Sequence, residues 1–388
     1  MLQKTFDHLE RIYTEMVGIR RDLHMNPELS FQEIRTSEFI ANYLKDIGLE
    51  VRTKVGGHGV VGFLKGGKPG KTIALRADFD ALPITDEKNV PYKSTVPGVM
   101  HACGHDIHTA ALLGVANVLS HVKDDIEGNV VFIHQHAEEL APGGAKSMIE
   151  DGCLVGVDAV YGAHVEVNFP IGQVALNDGY VHAASDAFNI TIYGKGGHGA
   201  EPHRCIDPLV IGSHLVVNLQ NIVSRRVDPL QQALVTVGSF HSGDAHNVIP
   251  DKAYLKGTVR TYDPVVRLQV EKELTLIAQK TGEQHGAEIE VNYTKGYISL
   301  YNHPKETEFI RKLSTEIVGE KNVTIKLPDM GGEDFAYYVD AVPGTFFWVG
   351  GGNPDLDAIY PHHHPKFDVD EKSMIIIGKI FISAVLNS

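Results

Sequence analysis

The chain has 388 residues, more than one compact core usually serves, so two domains or one domain with a large insertion are expected. Hydrophobic residues make up 43% and charged residues 22%, ordinary globular proportions that exclude a disordered or fibrous chain. Thirty-five Lys and Arg against 49 Asp and Glu give a net charge of −14 without any basic cluster, which excludes a nucleic-acid surface.

The first residues, MLQKTFDHLERIYTEM, alternate charged and apolar side chains and do not read as a secretory signal. Residues 5–24 have the pattern of an amphipathic helix. A turn at Asn26–Pro27 follows, then a second helix over 36–47 capped by Gly48. Short apolar runs at 59–64, 71–76, 129–134, 159–164 and 345–349 are bounded by Gly, Pro or Asp, and helical patterns at 107–122 and 144–151 separate several of them. Buried strands alternating with helices predict an α/β sheet covered on both faces. The longest apolar stretch, 374–386, is interrupted by Lys379 and falls well short of the roughly 18 residues of a membrane span. Cys103, Cys153 and Cys205 are an odd set of widely spaced thiols, which fits a reducing, cytoplasmic location better than a disulfide framework.

Residues 185–297 read differently. Their order is strand, helix, strand, strand, helix, strand, the β-α-β-β-α-β unit of a ferredoxin-like layer. Such a unit covers its own sheet and can be inserted into another domain. The expected organisation is therefore a discontinuous domain, 1–183 with 298–388, interrupted by an inserted domain at 184–297.

The composition also holds 21 His, and potential metal ligands gather at the expected carboxyl ends of separate strands. HACGHDIHTA brings Cys103 and His105 to a glycine turn before a helix. The strand NVVFIH runs into QHAEEL, with His134, His136, Glu138 and Glu139. His164 ends another strand, and YPHHHPKFD carries His362, His363 and His364. Alone, each is as easily a packed histidine, a capping group or a solvated acidic pair. Together they occupy the place where open α/β sheets build sites, with donors suited to Zn²⁺, and to Mn²⁺, Co²⁺ or Ni²⁺ by ligand type.

RADFDALP, HACGHDIHTA, HAEEL-x-PGGA, GAHVE, GKGGHGAEPH, HNVIPD and HHHPKFD, in that order, resemble the M20 family of metallo-amidohydrolases and exopeptidases. The chain is most similar to its branch of aminoacylases, hippurate hydrolases and auxin-conjugate hydrolases. The resemblance implies a mixed-sheet metallo-exopeptidase-type catalytic domain with the ferredoxin-like insert as a lid and dimerisation domain. It places two divalent cations on Cys103, His105, Glu139, His164 and His363, with Cys103 bridging and His362 as the alternative last ligand. It makes Glu138 the general base, Asp78 a carboxylate that orients a ligand, His198 an oxyanion donor acting in cis or in trans, and Asn247 and Arg260 the partners of a substrate carboxylate. Arg76 stands where other branches have a His ligand, and the Cys-x-His pair replaces it. The implied reaction is hydrolysis of N-acyl amino acids by a homodimer or higher homo-oligomer. A di- or carboxypeptidase of the same family is the alternative, and a non-catalytic metal- or ligand-binding protein a more distant one. P-C-x-x-C is absent, which rejects a zinc deaminase.

Overall fold

The computed structural model describes residues 1–388, and the chain divides into two compact units. The first comprises Met1–Val181, Tyr301–Pro328 and Asp334–Ser388; the second comprises His182–Leu300 and Asp329–Glu333. The short stretch Asp329–Glu333, which the sequence reading left within 298–388, belongs with the second unit. There the Ala183 N–H donates to Gly331 O at 2.9 Å and the Tyr262 hydroxyl to Asp329 O at 2.8 Å.

An eight-stranded mixed sheet forms the first unit. Across it run Glu50–Val55, Gly59–Lys65, Glu127–Gln135, Lys68–Asp78, Ala159–Pro170, Gly344–Gly352, Val174–Leu176 and Val323–Ile325. The four strands from Glu127–Gln135 to Gly344–Gly352 are mutually parallel, so their carboxyl ends share one edge. Alternation along them sends Leu75, Ala77, Val130, Phe132, Tyr161 and Ala163 into the main core, beneath helices that include His105–Ser120 and Ser373–Leu386. Helix His105–Ser120 is apolar nearly all round and buried accordingly. The run 374–386 is a second such helix, with Ile377, Ile380, Phe381 and Ile382 at or below 1% exposure. No helix is long and apolar enough to cross a membrane.

The predicted first helix is two, Leu2–Arg11 and Tyr13–Met25, broken at Ile12. The break lets Leu9 pack on Gly378 of one buried helix while Met16 packs on Gly114 of the other. The edge strands Glu50–Val55 and Val323–Ile325, and Val174–Leu176 beside the latter, escape the sequence reading because they are polar or only three residues long.

In the second unit an antiparallel sheet orders its strands Ala233–His241, Lys252–Thr261, Ala184–Tyr193 and Glu288–Lys295. Helices Pro208–Asn221 and Pro264–His285 bury Leu215, Leu219, Val270 and Leu274 against Phe188, Ile190, Leu255 and Val259. Asp207 and Asp263 cap them, each side chain accepting two backbone N–H bonds.

Candidate metal centre

The parallel strands carry Asp78, Gln135 and His164 to one edge of the sheet, and the loops that follow add Asp80, Glu138 and Glu139. Cys103 and His105 approach the same edge from the turn that opens helix His105–Ser120. Gly104, at φ +94°, makes that turn possible, because a Cβ there would lie 2.3 Å from Val165 Cγ1.

Cys103 belongs to two groups of donors at once. With His105 and His164 it forms one cluster, and with Glu139 and His363 another, the ligand atoms of each lying within 4.8 Å of one another. A third cluster joins His105 to Glu138 and Glu139. Cys103 Sγ is 3.4 Å from His164 Nε2, and His363 Nε2 is 3.3 Å from Glu139 Oε1. His164 donates from Nδ1 to Val165 O at 2.7 Å, which leaves the Nε2 lone pair facing the sulfur.

His105 is fixed in the same way. Its Nδ1 lies 2.9 Å from Asp80 O and 3.2 Å from Asp80 Oδ1. Its Nε2 is buried without a hydrogen-bond partner. Burial pulls His105 down, but Asp78, Asp80 and Glu139 outweigh it and raise the imidazole to about 10. Burial and the neighbouring Glu139 and Glu138 push the Cys103 thiol well up. Both shifts report a buried, strongly negative field, and a cation is what such a field favours. An orphaned buried donor together with sulfur, imidazole and carboxylate ligands fits divalent metals of the zinc type.

Asp78 sits 3.6 Å from His105 Nε2, too far for a hydrogen bond. It binds His108 Nδ1 at 2.6 Å and Arg76 Nη1 at 2.6 Å, and His108 Nε2 accepts the Val165 N–H at 2.9 Å. Arg76 in turn reaches Gln135 Oε1 at 2.9 Å and Asp334 Oδ1 at 3.1 Å. The Arg76 guanidinium therefore serves the scaffold behind the clustered donors. The carboxylate in contact with His105 is Asp80, which the sequence reading missed. Its signal was present, since Asp78 and Asp80 are two residues apart on an extended chain and share a side.

His362 and His363 part company. His363 has a left-handed backbone, φ +63°, and its N–H donates to Ala102 O at 2.8 Å, which ties it to the Cys103 turn. His362 turns its Nε2 to within 3.4 Å of Glu166 Oε1 and does not join the clusters of Cys103. His134 and His136 also stay outside those clusters, buried in and just after their strand.

In the second unit His198 and Asn247 are neighbours on a two-stranded ribbon. His198 pairs with Val248, and Gly199 N–H donates to Asn247 O at 2.8 Å. The Ala200 N–H donates to His198 Nδ1 at 3.0 Å, so the neutral ring carries its proton on Nε2. Arg260 lies on strand Lys252–Thr261, where its Nη1 donates to Val259 O at 3.0 Å and to the Thr258 hydroxyl. The buried ion pair of this unit belongs to other residues, Arg267 and Asp186.

Residues 74–387 match the family described as Peptidase family M20/M25/M40. YhaA of Bacillus subtilis (strain 168), which bears an amidohydrolase name, is 50% identical over 99% of this chain and 98% of its own. N-acetyl-L-cysteine deacetylase of the same organism is 41% identical, covering 95% of this chain and 86% of its own. Thermostable carboxypeptidase 2 of Saccharolobus solfataricus is also 41% identical, over 96% and 94%. The crystal structure of Bacillus subtilis YxeP, described as a dinuclear metal-binding peptidase, superposes with a TM-score of 0.85 at 33% identity and covers 97% of this chain and 98% of its own.

Proposed function

Because the chain belongs to peptidase family M20/M25/M40 and is a metallo-hydrolase of amide bonds, we propose that it cleaves N-acyl amino acids, releasing a carboxylate and the free amino acid. One observation carries the reading: Cys103 is common to the His105–His164 and Glu139–His363 clusters, with Glu138 beside them as a carboxylate outside the proposed ligand set.

Cys103, His105, His164, Glu139 and His363 would hold two divalent cations, Zn²⁺ or Mn²⁺ by donor type, with Co²⁺ or Ni²⁺ also compatible. Bound there, such ions supply Lewis-acid polarisation of a carbonyl and lower the pKa of water. Glu138, whose Oε2 is 4.0 Å from His105 Nε2, takes the proton from the attacking water and returns it to the leaving amine. His198 offers an Nε2–H donor for the oxyanion, and Asn247 and Arg260 offer donors for the substrate carboxylate. Asp78 steadies the site through His108 and Arg76. The same reading makes the enzyme cytoplasmic and a homo-oligomer assembled through the inserted ferredoxin-like domain, residues 184–297.

The carboxypeptidase reading shares this chemistry and differs in the pocket, and the carboxypeptidase name of one relative favours it. Initial rates on N-acetyl amino acids, hippurate and dipeptides separate the two. The mechanism is tested with Glu138→Gln. The variant is expected to bind metal normally and lose about 10²–10⁴-fold in turnover, and near-normal turnover would refute the base.

A further inference from the structure

Glu138 sits in a backbone held from two directions. On one side, Ala137 has φ +52°, a left-handed conformation that disfavours any residue with a Cβ. The Ala137 N–H donates to Glu33 Oε1 at 2.8 Å, while its carbonyl accepts from Gly144 N at 3.1 Å. On the other side, the Glu139 N–H donates to Asp80 Oδ2 at 3.0 Å, and that same oxygen accepts from Ser30 Oγ at 2.7 Å. Both holds trace to one segment of chain, Glu28 to Glu33. Leu29 bridges to Ala81, and the Ala81 N–H donates to Glu28 O at 2.9 Å.

Glu33 is an unusual residue to find there. It is 0% exposed, and its Oε2 is buried without a hydrogen-bond partner. Desolvation of a carboxyl is tolerated only where the group does something in return. The amides of Phe31 and of Glu33 itself also face its carboxyl, and its one reach beyond its own segment is to the amide that precedes Glu138. An unfavourable backbone geometry next to a reacting group persists only where its surroundings enforce it.

We propose that Glu33 is a positioning residue for Glu138: by accepting the Ala137 N–H it holds that residue left-handed and so fixes the direction in which the catalytic carboxylate points. The proposal rests on the reading of Glu138 as general base. Burial pushes Glu33 up to about 7, so near neutral pH it is readily protonated and Gln is a fair stand-in.

The test uses the full-length, metal-loaded enzyme and N-acetyl-L-methionine. Glu33→Ala is expected to lower kcat about 10- to 100-fold with KM and bound metal unchanged. Deuterium uptake in the peptide spanning residues 136–139 is expected to rise. Glu33→Gln, which keeps an acceptor, stays within about threefold of the parent. Ala137→Gly is the decisive partner, because glycine adopts the left-handed region without help. Alone it changes little, and combined with Glu33→Ala it recovers most of kcat. Glu33→Met keeps the volume without the acceptor and replaces Glu33→Ala should that variant not fold. Unchanged kcat in Glu33→Ala, a loss explained by missing metal, absence of rescue by Ala137→Gly, or failure of both Ala and Met variants to fold would each overturn the assignment. If Glu138→Gln stays active, the reading of the base fails; if it is dead while Glu33→Ala is normal, only the positioning role fails.

Discussion

The imidazole of His105 and the backbone of Asp80 share a hydrogen bond of 2.9 Å, reinforced by the Asp80 carboxylate at 3.2 Å. That contact selects the tautomer and aims Nε2 into the cluster of Cys103, Glu138, Glu139 and His164. Asp80 also receives the Glu139 N–H and the Ser30 hydroxyl, so one carboxylate orients two proposed ligands. Partners of this kind typically govern metal affinity by about 10–100-fold. Asp80→Ala is accordingly expected to weaken metal binding by that factor in titration calorimetry with Zn²⁺ or Mn²⁺. Affinity equal to the parent's would show that the ring is held by its surroundings alone.

A second expectation concerns pH and stability. Burial is the main cause that moves Glu33 from its ordinary 4.5 to about 7 in the folded chain. A carboxyl raised on folding binds more protons in the native state than in the unfolded one. Stability therefore falls as pH rises from about 4.5 to 7 and is level beyond, the reverse of an ion-paired carboxylate. The full effect of such a shift is up to about 3 kcal/mol. Glu33→Gln removes the titration, so its stability relative to the parent should increase across that window in urea melts at stepped pH. A constant difference from pH 4 to 8 would count against a buried, unpaired Glu33.

The parallel strands, the inserted β-α-β-β-α-β unit and the residues of the donor clusters could all be read from the sequence, because each has a local signature. Apolar runs mark strands, and Cys103 and His105 sit two positions apart on a glycine turn. The supports behind the donors lack such signatures. Glu33 meets Ala137 across 104 positions, and nothing in PELSFQE is periodic. Arg20 occupies an ordinary place in an amphipathic pattern, yet it is 0% exposed because Asp106 and Asp368 come to it from 86 and 348 residues away. The triplet of histidines could not be ordered from sequence either. What distinguishes His363 is a left-handed backbone and a hydrogen bond to Ala102 O, and neither is written in the residue type.

Arg20 gives a third expectation. Its guanidinium donates to Asp106 at 2.8 Å, to Asp368 at 2.8 Å and to Glu371 at 3.2 Å, while His24 Nδ1 lies 2.7 Å from Asp106. Burial alone would raise Asp106 and Asp368, and Arg20 is the largest of the opposing charges that hold both below the ordinary carboxylate range. Carboxylates depressed in this way stabilise the fold above their unfolded value near 3.8, and that contribution is lost as pH falls through the folded value. Arg20→Met strands the acids in a dry interior, a change that typically costs about 3–5 kcal/mol. Its urea midpoint at pH 7 should drop accordingly, and its acid unfolding should begin at higher pH than the parent's. A loss below about 1 kcal/mol would mean that His24 and Lys88, whose Nζ lies 3.4 Å from Asp368 Oδ2, suffice to compensate the carboxylates.

Cys103 offers the sharpest test of the metal arrangement, because it belongs both to the group with His105 and His164 and to the group with Glu139 and His363. Two independent sites would each keep most of their ligands if an unshared residue were changed. A shared residue behaves differently: replacing it removes one donor from both. The thiol is pushed well up by burial and by Glu139 and Glu138, so in this field the thiolate exists only with positive charge beside it. Cys103→Ser is therefore expected to weaken both cations together, in elemental analysis after dialysis against graded chelator, with turnover falling in parallel. Complete chelation of the parent should abolish activity reversibly and lower Tm, since ligand binding at about 100 times Kd stabilises a fold by about 2.7 kcal/mol. Loss of a single equivalent from Cys103→Ser, with the other held as tightly as before, would place Cys103 in one site only and leave Glu139 and His105 to bridge the two.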